Sequence, residues 1–148
     1  MAVALTDGSA IIAYLVEDDA LHDSAVRAIE TAMRSGKSLA MSAVTWSETL
    51  HGALLGYVPE AELREFVRDF GIEVLDVDVD VAEQGAALQK AYRDTSSKEP
   101  RPRLRAPDAL ILATSLVYGD IDTVICGDEK WTKVPGVAAE IAVLAANG

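Results

Sequence analysis

Val3-Ala4-Leu5-Thr6-Asp7-Gly8-Ser9-Ala10 decides the fold: a short apolar run stops at an acid, a glycine and a serine, and Ala10 to Val16 then has helical character. The same order, strand, acid or turn, helix, recurs along the chain. Ser38 to Ser42 reads as a strand ahead of a helix from Thr45 to Leu55. Ile72 to Leu75 reads as a strand ahead of an alanine-rich helix from Ala82 to Tyr92, with Asp78 and Asp80 as capping candidates. Thr123 to Cys126 is an apolar interior strand ending at Gly127-Asp128, and a last short strand falls near Ile141 to Leu144. Between these lie helical runs. Leu21, Ala25, Ala28, Ile29, Ala32 and Met33 recur at helical spacing from Leu21 to Arg34, where Gly36 ends the run. Pro59 opens an amphipathic run to Phe70, and Pro107 opens a helix to Tyr118 that Gly119 closes. Strands alternating with helices predict a three-layer α/β/α sandwich around a mainly parallel sheet of four to five strands.

The chain has 148 residues, of which 50% are hydrophobic. One domain spanning residues 1–148 is expected, long enough to bury roughly two-thirds of its unfolded surface. The formal net charge of -11 excludes a surface that coats nucleic acid by charge alone, so any such role is local or assisted by a metal ion. Cys126 is the one cysteine, which excludes an intramolecular disulfide and points to a reducing, cytoplasmic setting. The first fifteen residues lack a basic leader and carry Asp7 within their apolar stretch, so neither a signal peptide nor a membrane span is expected there.

Four acids stand at or near predicted helix starts, and each has an ordinary explanation. Asp7 and Asp128 suit caps, Glu48 lies three residues after Thr45 at the spacing of a capping box unless Ser42 is the cap, and Asp108 follows Pro107 in a first turn where the helix dipole favours an anion. Together they imply more. In a parallel α/β sheet the strands end, and their helices begin, along one edge, so the acids converge there. Two carboxylates about 4 Å apart repel by roughly 4 kcal/mol at an effective dielectric near 20, which calls for protonation or a counter-cation. An all-carboxylate set suits Mg²⁺ or Mn²⁺, and neither His22 nor His51 has an evident partner for a zinc site.

At these positions the sequence resembles the PIN-domain family, and in size it is similar to the toxin ribonucleases of the VapBC toxin–antitoxin type. Leu5-Thr6-Asp7-Gly8-Ser9-Ala10, Ser42 to Glu48, Ala106-Pro107-Asp108-Ala109-Leu110-Ile111-Leu112-Ala113 and Val124-Ile125-Cys126-Gly127-Asp128 carry the resemblance. It implies that Asp7, Glu48, Asp108 and Asp128 bind metal, that Ser9 lies beside it, and that the chain is a Mg²⁺- or Mn²⁺-dependent endoribonuclease. It further implies a homodimer and a cognate antitoxin as partner. Family members often have Thr or Ser where this chain has Cys126, and a further acid where it has Lys130, so a second metal position is less well provided for.

Lys90 to Arg105 holds six basic residues and two acids, a local +4 against -15 for the remainder. Lys98, Arg101, Arg103 and Arg105 directly precede Asp108, which makes them candidate contacts for an RNA backbone. Alternating Arg and Pro there predicts a partly extended, mobile segment. Two other readings compete: a domain of this fold that binds partners without catalysis, and a receiver-type phosphoacceptor in which Tyr14 to Asp19 would be a first strand with its acidic pair and Asp76 the phosphorylated residue.

Overall fold

Three short strands divide the interior in two. In β1 (Val3–Thr6), Ala4 and Leu5 belong to opposite cores; in β2 (Ser38–Ser42), Leu39 and Met41 oppose Ala40; in β4 (Ile121–Cys126), Ile125 opposes Val124 and Cys126. Side chains alternate along an extended strand, so a sheet apolar on both faces needs helices on both. On the first face α1 (Gly8–Leu15), α2 (His22–Arg34), α3 (Ala43–Leu54) and α4 (Glu60–Asp69) bury Ala10, Ile11, Ile29, Ala53, Leu63 and Phe66. On the second, α5 (Val79–Arg93) and α6 (Ala106–Val117) bury Val81, Leu88, Ile111 and Leu112, joined by Trp131 from a single 3-10 turn, Glu129–Lys133.

The computed structural model describes residues 2–146. With β3 (Glu73–Leu75) and β5 (Glu140–Val143), its sheet has five strands in the order β3-β2-β1-β4-β5, and every pairing is parallel. The three-layer architecture expected from the sequence is therefore present. Among the described residues no helix is long and apolar enough to cross a membrane.

Several boundaries differ for local reasons. Ser42 caps α3 by accepting from the Val44 amide at 3.1 Å, so that helix starts at Ala43 and not Thr45. Asp78 caps α5 by accepting from the Val81 amide at 3.0 Å, which adds a turn before Ala82. Tyr14 and Leu15 finish α1, and the residues after it form a turn, so the receiver-type reading of Tyr14 to Asp19 as a strand is wrong. Tyr14 instead packs its ring on Phe66 and Phe70 of the α4 hairpin, at centroid distances of 4.9 and 5.4 Å.

The segment between α5 and α6 is irregular, yet it is pinned. Leu104 is 1% exposed within the second core, and Gln89 Nε2 donates to its carbonyl at 3.0 Å. The mobile segment read from the Arg-Pro alternation is corrected by this anchor. Leu104→Ala should lower the unfolding free energy by about 2–5 kcal/mol, the usual range for deleting a buried leucine. It should also speed tryptic cleavage within the Arg101–Arg105 stretch. Urea titration and timed proteolysis check both; an unchanged cleavage rate would show that the anchor does not hold the loop.

Candidate active site

From β1 the chain moves outward through β2 and β3 and then crosses to β4 on the other side of β1. The direction of winding reverses between β1 and β4, and in open parallel sheets a crevice opens there beyond the carboxyl ends of the strands. Asp7 is the first residue past β1, and its amide donates to the Ile125 carbonyl of β4 at 2.9 Å. Asp128 follows β4 by two residues. Asp108 lies in the first turn of α6, and Glu48 stands on the second turn of α3, since the cap is Ser42 and no capping box with Thr45 forms. Asp7, Glu48 and Asp108 line one cleft of about 500 Å³, and Asp128 lies close enough to Asp108 to raise its pKa.

Two glycines set how closely these elements approach. A Cβ on Gly8 would lie 3.3 Å from Thr49 Cγ2, so the absent side chain lets the start of α1 sit against α3. A Cβ on Gly127 would lie 3.0 Å from Ser9 Oγ. Into that space the Gly127 amide donates to Ser9 Oγ at 3.0 Å, and Ser9 Oγ donates to Asp7 Oδ2 at 3.0 Å. Ser9 thus joins the end of β4 to the Asp7 carboxylate. Asp7 occupies the cap position of α1 without a side-chain capping bond, so the simple capping explanation does not hold for it. For Asp128 it does, because Oδ1 accepts from the Lys130 amide at 3.0 Å.

The electrostatics are those of carboxylates forced together. Burial raises the Asp7 pKa, opposed by the Gly8 amide and Ser9 and assisted by Asp108. Burial also raises Glu48, with further upward pushes from Asp7 and Asp108 and a downward pull from Arg105. Asp108 is raised by burial, against the pull of Arg105 and Lys130, with Asp128 adding repulsion. Lys130 Nζ lies 3.9 Å from Asp128 Oδ2. Beneath them Cys126 is fully buried, and burial, then the surrounding acids, push its thiol up to about 12, so it is a neutral packing group.

Among the described residues no three His, Cys, Asp or Glu side chains already stand close enough to enclose an ion. The chemistry of the donor set nevertheless fits a hard divalent cation: the carboxylate oxygens of Asp7, Glu48 and Asp108 with the Ser9 hydroxyl beside them. Carboxylates that repel one another stand apart until a cation draws them in. His22 is occupied elsewhere, its Nδ1 2.8 Å from the Ala13 carbonyl oxygen.

The basic candidates separate. Arg105, the residue before α6, is the one whose charge reaches Glu48 and Asp108. Arg101 is turned into ion pairs with Asp94 at 3.6 Å and Glu99 at 3.5 Å. Arg103 lines a separate cavity against α5, and Lys98 is exposed beyond it. The same cleft is also lined by His51, Gly52, Leu55, Tyr57 and Asp19, none of which the sequence assigned to a nuclease site. The available signal was the helical spacing of Glu48, His51, Gly52 and Leu55, which places all four on one face.

A model of the PIN domain matches residues 4–137. The chain belongs to the PIN domain family. No curated protein sequence matches this PIN domain significantly. Its fold is similar to a chain of the Rickettsia felis VapBC2 complex bound to a DNA fragment from its promoter, at 12% identity and a TM-score of 0.72, covering 97% of this chain and 99% of that one. It is also similar to a chain of a Klebsiella pneumoniae toxin–antitoxin complex, at 23% identity and a TM-score of 0.70 with the same coverage. A third similar structure is Mycobacterium tuberculosis VapC20, a sarcin-ricin loop cleaving toxin, at 17% identity and a TM-score of 0.62, covering 88% and 93% of the two chains.

A carboxyl whose folded pKa is raised keeps its proton in the fold when the unfolded chain has already lost it. Stability without metal therefore falls as pH rises from the ordinary carboxylate value through the raised one, and stays low above both. Asp7→Asn removes that cost. In EDTA the variant should melt above the parent near pH 7, and the gap should close as pH falls toward 4. Equal melting temperatures across that range would show that Asp7 carries no such strain.

Proposed function

We propose that this PIN domain is a Mg²⁺- or Mn²⁺-dependent endoribonuclease, the toxin of a toxin–antitoxin pair, acting in the cytoplasm as a homodimer restrained by a cognate antitoxin. The observation that carries the reading is that Asp7, Glu48 and Asp108 line one cleft at the sheet's switch point, with Asp128 near enough to act on Asp108. Support comes from the similar structures, among them the Klebsiella pneumoniae toxin–antitoxin complex and the sarcin-ricin loop cleaving toxin of Mycobacterium tuberculosis.

Asp7, Glu48 and Asp108 would hold the main ion, and a divalent cation bound there supplies a nucleophilic water at neutral pH and neutralises charge on the scissile phosphate. Asp128, fixed by the Lys130 amide through Oδ1, keeps Oδ2 toward the Lys130 ammonium and is placed to orient that water or to share a second ion. Ser9 holds the Asp7 carboxylate against rotation. Arg105, whose charge reaches Glu48 and Asp108, would meet an incoming phosphate, and Lys98 and Arg103 extend positive charge along the same segment of an otherwise acidic protein.

Purified protein incubated with total cellular RNA should cut at a few mappable sites in Mg²⁺ or Mn²⁺ and not in EDTA. Asp7→Asn or Asp108→Ala should abolish cutting without unfolding the chain. Arg105→Glu should weaken RNA binding and flatten its salt dependence without weakening Mn²⁺ binding, since it adds negative charge beside Glu48 and Asp108. Folded, antitoxin-free protein that binds Mn²⁺ but cuts nothing would favour the non-catalytic binding domain.

A further inference from the structure

The cleft that holds the acids is also lined by Leu55 and Tyr57, and the end of α3 explains how. Gly56 adopts a φ of +88°, its amide donates to the Ala53 carbonyl at 3.0 Å, and the Tyr57 amide donates to the Gly52 carbonyl at 3.0 Å. These paired bonds form a Schellman motif, which ordinarily adds an apolar contact between the residue after the glycine and the one whose carbonyl it caps. Here that second residue is Gly52. A Cβ built on it would already lie 3.7 Å from Tyr57 Cδ2. Tyr57 is thus fixed by its backbone while its ring crosses a bare stretch of helix, 71% exposed. Among the described residues its ring has no aromatic partner and its hydroxyl no hydrogen bond. Leu55 beside it is 56% exposed. The next residue, Val58, is 1% exposed and anchors the turn.

We propose that Tyr57, with Leu55 and His51, forms a stacking platform for one unpaired base next to the cut phosphate of the substrate strand. This rests on the ribonuclease reading above. The stripe from Glu48 to Leu55 is roughly 10 Å long at the helical rise, so a strand whose phosphate lies at the acids brings a neighbouring base to this wall. A base in a duplex has its faces covered and cannot reach a ring set into the side of a cleft; an unpaired base can. The chemistry also suits the protein's charge. A chain of net charge -11 repels a polyanion over most of its surface, whereas stacking on an aromatic face is indifferent to that charge.

The test is a cycle combining Tyr57→Ala with base removal. Single-stranded RNA oligonucleotides carrying a mapped cut site, with each flanking nucleotide in turn made abasic, are cleaved by the parent, Tyr57→Ala and Tyr57→Phe proteins in Mn²⁺, and the same site is offered as a duplex. One abasic position should lower the parent's kcat/KM about 10-fold, the scale of one stacked base. Tyr57→Ala should show the same loss on the intact strand and no further loss at that position. Tyr57→Phe should retain parental activity, Mn²⁺ affinity should be unchanged in all three, and the duplex should be cut poorly. Parental cleavage of the single strand by Tyr57→Ala, or losses that multiply at every position, would overturn the platform while leaving the ribonuclease standing; retained RNA cleavage together with weakened antitoxin binding would assign this wall to the protein partner instead. A parent that cuts no RNA would remove both readings.

Discussion

Mutual repulsion among Asp7, Glu48, Asp108 and Asp128 is the constraint to which the rest of the molecule answers. Burial is the main force raising the Asp7, Glu48 and Asp108 carboxyls, and the neighbouring acids add to it. The fold supplies rigidity against this from the backbone. Parallel pairing of β1 with β4 fixes where the Asp7 and Asp128 segments leave the sheet, and glycines at 8 and 127 permit approaches that a methyl group would obstruct. Ser9 then ties the Asp7 carboxylate to the far strand. Arg105 and Lys130 reduce the repulsion from the rim without joining the cluster's centre.

The same constraint orders the surface. Positive charge is densest from Lys90 to Arg105, at the end of α5 and in the segment that follows it, and part of it is already spent internally: Lys90 and Arg101 both pair with Asp94. What is left for a ligand is a narrow basic approach at Arg105, a negative centre, and an apolar wall at Leu55 and Tyr57. Each treats a polynucleotide differently, through charge, through a bound cation and through stacking. Cys126, although surrounded by the acids, is buried with its thiol neutral, packing in the second core and donating to the Asp128 carbonyl at 3.5 Å.

The fold was legible because its strands are brief apolar runs that end in acids or turns and alternate with helical runs, the pattern of a parallel sheet covered on both faces. The four acids were legible as helix-start residues on a parallel sheet, whose geometry sends such residues to one edge. Their individual duties were not: Ser42 took the cap that Thr45 and Glu48 were spaced to form, while Asp128 kept its ordinary capping role. The loop misled because Arg-Pro alternation describes local backbone preference, whereas Leu104 is held by a core assembled from residues far away in sequence. Tyr57 was invisible because its exposure follows from a glycine five residues earlier, a pairing that matters only once the helix end has closed.

Diffraction from crystals grown with Mn²⁺, recorded where manganese scatters anomalously, tests the central claim most directly. The account predicts an anomalous peak bounded by carboxylate oxygens of Asp7, Glu48 and Asp108, with Ser9 beside it and the acids drawn closer together than in the metal-free protein. A cleft without manganese at saturating concentration, or an ion held elsewhere on the chain, would contradict it.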